Sequence, residues 1–174
     1  MDVMLDLETL ATSPDCVVLT FGAVKFDPFT DTIDKGMYIR LDVDEQIALG
    51  RRVDEGTLEW WGRQNEQVRE EALGEDGRIS IDEFTSQLNQ FIVGANRIWA
   101  QGPVFDIVIL ENLYRQAGKP APWPYYTIRD SRTLLKALGD DREGGVNLHN
   151  ALADCVSQAE AVQSAVKRYK LTEL

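Results

Sequence analysis

The apolar positions of this chain fall into two regimes, strand-like runs first and helical spacing afterwards. Residues 2–8 form a hydrophobic segment read as a strand, 16–26 a second (Val17, Val18, Leu19, Phe21, Val24, Phe26) and 36–42 a third. Asp27-Pro28 marks the turn after the second. Three consecutive strands predict an antiparallel meander. Residues 54–72 then carry Leu58, Trp60, Trp61 and Val68 as one or two helices. Ser80-Ile81-Asp82-Glu83 is a capping-box pattern followed by Phe84, Leu88 and Phe91 at helical spacing. Residues 97–101 suit a short buried strand, 105–117 a helix, 130–138 a short helix and 149–169 a final helix. That last helix has a stripe of Cys155, Ala159, Val162, Val166 and Tyr169. The element order is that of an α/β fold with a mixed central sheet.

The 174 residues suit one domain spanning 1–174, and 44% hydrophobic with 27% charged residues is an ordinary soluble composition. No apolar run approaches bilayer length, and Asp2 and Asp6 break any signal-peptide pattern. Cys16 and Cys155 lack metal-binding spacing and read as free thiols of a cytoplasmic protein. A net charge of −11 excludes a general nucleic-acid coat, whose affinity comes from Lys and Arg on phosphates. It is compatible with an enzyme that grips one strand end through cations, with a short footprint.

Several polar positions interrupt the apolar pattern. Asp6 and Glu8 share one face of the first strand, where two carboxylates repel unless a cation or a strong donor is near. Alone, the Asp-x-Glu pair reads equally as a strand end opening into solvent. Asp106 shares a helix face with Leu110, Leu113 and Ala117, the face expected to pack inward, but an Asp there also suits a helix N-cap. His149 is the one histidine of the chain, five residues before Asp154. Five residues in regular helix separate side chains by roughly 140°. The pair therefore meets only if His149 lies in the loop or first turn before the helix. Gly144-Gly145 upstream would give it a flexible approach, and Asn147 or Asn150 could supply the cap.

Taken together, Asp-x-Glu on an early strand, Asp at a helix start and His-x4-Asp at the last helix resemble the DnaQ-like (DEDDh) 3′–5′ exonucleases of the ribonuclease-H-like superfamily. The resemblance covers nearly the whole chain, including Val17-Val18-Leu19-Thr20-Phe21-Gly22-Ala23. It is strongest to small phage and bacterial exonucleases that share a Trp-Trp segment (Trp60-Trp61) and an Arg-Asp-x-Arg-Thr segment (Arg129 to Thr133). It implies a ribonuclease-H-like fold and two divalent cations, Mg²⁺ or Mn²⁺, held by Asp6, Glu8 and Asp154. Asp6 would bridge them, and Asp106 would complete the shell of the second cation, directly or through water. It implies His149 as general base and a single-stranded RNA or DNA 3′ end as substrate. Thr9 and Leu10 would touch the terminal nucleotide. Phe105 and Trp61 are candidates for base contact, with at most one of Trp60 and Trp61 facing the strand. Arg132, with Arg129, reaches either phosphate or an acidic loop. A homodimer is compatible with the family. The rivals are a non-catalytic nucleic-acid or nucleotide-binding module and a metal-dependent phosphatase. The choice between RNA and DNA is open at this level.

Overall fold

The computed structural model describes residues 1–139 and 149–174. The chain begins with β1 (Asp2–Thr9), β2 (Val18–Phe26) and β3 (Ile33–Leu41), paired antiparallel as expected. Helices α1 (Val43–Ala48), α2 (Glu55–Gly62) and α3 (Glu66–Leu73) follow. Then come β4 (Arg78–Ile79), α4 (Ile81–Phe91), β5 (Ile98–Ala100), α5 (Pro103–Gln116), β6 (Ile128–Asp130), α6 (Ser131–Ala137) and α7 (Ala151–Tyr169). The sheet order is β4-β3-β2-β1-β5-β6, with β4, β5 and β6 joined in parallel. The mixed central sheet is thus as the pattern predicted, with β4, β6 and α1 added to it.

Strand alternation divides the core. Val3, Leu5 and Leu7 point to one side of β1, where Phe84, Leu88, Ile107 and Leu110 of α4 and α5 cover them. Met4, with Val24, Phe26 and Trp99, points to the other side, against Cys155, Ala159, Val162 and Val166 of α7. β2 is buried along almost its whole length because helices cover both faces. Both cysteines are buried and free. The α7 stripe ends one turn earlier than expected, since Tyr169 is 40% exposed.

Local chemistry sets the element boundaries. Ser80 Oγ accepts the Glu83 N–H at 3.2 Å, the first half of a capping box. β2 begins two residues later than the apolar run, because the pairing with β1 shifts between Glu8 and Thr9. Beyond that shift Gln46, fully buried, takes the place of a neighbouring strand. Its Oε1 accepts the Val18 N–H and its Nε2 donates to the Val18 carbonyl, each at 2.8 Å. Gly144-Gly145 and Asn147 lie outside the described residues. No helix among the described residues is long and apolar enough to cross a membrane.

Candidate active site

The site forms at the end of β1. Alternation turns Asp6 and Glu8 to the α7 side, continuing the row begun by Met4. Asp6 pairs across the sheet with Gly22. A Cβ at Gly22 would lie 2.2 Å from the Ala151 carbonyl carbon and 2.4 Å from the Leu152 nitrogen. Only glycine lets the first turn of α7 rest directly on β2. Asn150 caps that helix, its Oδ1 accepting the Ala153 N–H at 2.9 Å. Asp154 sits in the first turn, 7% exposed. One oxygen each of Asp6, Glu8 and Asp154 lies within 4.8 Å of the others.

Asp106 arrives from the opposite side of the sheet. The helix begins at Pro103, earlier than the pattern suggested, and its N-cap is Gly102 at φ 123°. The N-cap reading of Asp106 is therefore corrected: it occupies the first turn, 4% exposed, turned inward. Its Oδ1 accepts the Leu7 N–H at 3.2 Å, a donor beyond the reach of short β5. Asp106 is not among the three carboxylates whose oxygens converge. Its charge nevertheless acts on Glu8.

Four acidic groups in one place oppose one another's ionisation. Burial, reinforced by Asp6, Asp154 and Asp106, pushes the Glu8 carboxyl up to about 9. Burial raises Asp6 to about 7, opposed by a hydrogen bond from Gln158, whose Nε2 donates to Asp6 Oδ1 at 3.0 Å. Burial and Asp6 hold Asp106 well above the usual carboxylate range. A converging set of oxygen donors that resist ionisation fits a hard divalent cation such as Mg²⁺ or Mn²⁺, whose charge reverses the penalty. Gln158, which pattern reading missed, is four residues after Asp154 on α7. A buried glutamine beside the apolar stripe was its one signal.

His149 lies before the N-cap, outside regular helix, as the spacing to Asp154 requires. Its backbone is left-handed, φ 50°. Its ring meets Trp60 edge-to-face at 4.8 Å and Trp61 at 6.4 Å. The expected base contact by Trp61 is corrected. Trp61 is 1% exposed and its Nε1 donates to the Thr9 carbonyl at 3.0 Å, whereas Trp60 is 37% exposed. Adjacent helical residues point about 100° apart, so burying one indole leaves the other at the surface. Leu10 is buried with Val17, Leu19 and Trp61. Thr9 Oγ1 donates to the Ala11 carbonyl at 2.7 Å. Phe105 is half-buried against the core. Arg132 is exposed beside Gly102, and its charge favours ionised Asp106. Arg129 instead donates to the backbone carbonyls of Tyr126 and Ile128 at 2.9 and 3.0 Å.

This fold is shared with nucleases of the ribonuclease-H-like class. E. coli Exonuclease I, solved in complex with a dA16 oligonucleotide, superposes with a TM-score of 0.68 at 16% identity. The match covers 98% of this chain and 42% of that one. The nuclease domain of 3′hExo, a DEDDh family member bound to rAMP, superposes with a TM-score of 0.60 at 12% identity, over 95% of this chain and 91% of that one. The chain thus spans about two fifths of the Exonuclease I chains it matches. A sequence comparison with curated proteins gives no match. The profile of the 3′-5′ exoribonuclease Rv2179c-like domain matches residues 1–166, and the chain belongs to that family.

Proposed function

We propose that this protein is a 3′–5′ exonuclease that shortens single-stranded nucleic acid from its 3′ end and releases nucleoside 5′-monophosphates. The observation that carries this reading is the convergence of Asp6, Glu8 and Asp154 oxygens within 4.8 Å. Membership of an exoribonuclease domain family favours RNA as the strand. Asp6, Glu8 and Asp154 would hold two divalent cations, with Asp106 completing the shell of the second, directly or through water. When bound, such ions supply positive charge to the attacking and leaving oxygens of an in-line displacement.

The chain's own groups do the rest. His149 accepts the proton of the attacking water as general base. The new bond joins that water's oxygen to phosphorus. The bond that breaks joins phosphorus to the 3′ oxygen of the preceding nucleotide, which remains on the shortened strand. Asp6 and Glu8, fixed on a central strand, need little reorganisation as charge develops. Arg132, exposed at the mouth of α5, faces solvent where a phosphate can meet it.

Digestion of matched 5′-labelled RNA and DNA oligonucleotides with Mg²⁺ or Mn²⁺ tests the reading. The expected result is a ladder shortening from the 3′ end, lost with EDTA and in Asp6→Ala. A folded protein that binds the strands without cutting either would replace the reading with a nucleic-acid-binding module. Release of phosphate from a simple phosphomonoester alone would replace it with a phosphatase.

A further inference from the structure

His149 has two unusual properties that the proposed base role does not explain. Its backbone occupies the left-handed region, φ 50°, which is strained for a residue with a side chain. Such a conformation persists only where surrounding contacts hold it. Its ring also stands perpendicular to Trp60, at 85° and 4.8 Å between centroids, and at 74° to Trp61. The two indoles are themselves edge-to-face at 4.9 Å, so the three rings form one aromatic cluster.

The cluster has a fixed base. Trp61 is buried among Leu10, Val17 and Leu19, and its Nε1 grips the carbonyl of Thr9, the residue after Glu8. Asp54, the N-cap of α2, donates its backbone N–H to the Leu10 carbonyl at 2.8 Å. Helix α2 is thus tied twice to the stretch of chain that presents Glu8. Through Trp60 the same helix reaches His149. Glu8 and His149 come from opposite ends of the sequence, and α2 spans them.

We infer that Trp60 is a positioning residue for His149: through α2 and the Trp61–Thr9 bond it sets where the imidazole stands relative to the carboxylates. This rests on the nuclease reading above and deepens it. One part of Trp60 is then engaged with His149, and its main contribution is to the chemical step, with base stacking secondary. A misplacement of a reacting group by about an ångström costs on the order of 100-fold in rate.

The test joins kinetics to a readout independent of activity. His149 is the only histidine in the chain, so its ring resonances in an NMR spectrum are assigned without ambiguity. The ring current of Trp60 should shift them. In Trp60→Leu, the His149 ring protons should move toward ordinary values. With a short single-stranded RNA, kcat should fall about 100-fold while KM changes by less than about threefold. Trp60→Phe, which keeps a ring, should recover most of kcat. Two results would overturn the inference. One is a rise in KM with kcat unchanged, which makes Trp60 a base platform. The other is a His149 spectrum indifferent to Trp60→Leu in a folded variant. A wild-type protein without nuclease activity would sink the functional reading alone, and the NMR comparison would still decide whether Trp60 holds His149.

Discussion

Glu8 and Asp6 are carboxyl groups whose ionised forms the cation-free fold resists, at about 9 and about 7. Replacing Glu8 by Gln keeps the shape and removes the need to hold a proton. Glu8→Gln should therefore raise the melting temperature of the cation-free protein near neutral pH while abolishing cleavage. Function and stability would then pull in opposite directions at one position. His149→Ala should leave divalent-cation affinity, measured by calorimetry, and the melting temperature close to wild type. It should lower kcat by about 10²–10⁴-fold, the usual worth of a general base. Unchanged kcat would remove His149 from the chemistry. Asp6, Glu8, Asp106 and Asp154 stood out as candidates through their joint order and the family it resembles, each alone having an ordinary structural reading; the fold brings the first two and Asp154 together. Gln158 and the inward turn of Trp61 did not stand out. Which side of a helix packs inward depends on neighbours far away in sequence, here Thr9 for Trp61.

At the scale of elements, α5 and α7 each bring a buried carboxylate to the site from their first turn, Asp106 and Asp154. That placement lets the positive end of each helix offset part of the charge. Positive-φ residues precede both, Gly102 before α5 and His149 before the cap of α7. The seat of α7 depends on Gly22. Gly22→Ala should shift the first turn of α7 away from β2, weaken cation binding and lower activity, with a lower melting temperature. Wild-type cation affinity in this variant would show that the close approach is dispensable. The meander, α4, α5 and α7 were readable from period and caps. Three short pieces were not: β4 has two residues, β6 three and α1 six, too few for a period to emerge, whereas β5, equally short, was marked by its apolar Ile98 and Trp99. Pairing with neighbours defines β4 and β6, and the Asp42 cap starts α1. The start of β2 was misread because Val17 is as apolar as its neighbours but pairs with Leu10 and Arg52 in the loop.

For the whole molecule, the raised carboxyls fix the sign of the pH response. A carboxyl held protonated in the folded state adds stability in full below its unfolded value. That contribution is lost as pH rises through the folded value. Without divalent cations, the melting temperature should fall from about pH 5 to about pH 9, and the net charge of −11 acts in the same direction. Added Mn²⁺ should raise the melting temperature, and more strongly at the alkaline end, because cation binding displaces those protons. A cation effect independent of pH would argue against Glu8 and Asp6 as ligands.

The site is also divided between distant parts of the chain: Asp6 and Glu8 lie on β1, Asp154 on α7. A ribosome making this protein releases the first strand long before the last helix. Throughout that interval the nascent chain, held beside messenger RNA, has two of the converging carboxylates but neither Asp154 nor His149. Under the proposed reading, the site is complete only once α7 has been made and seated on β2.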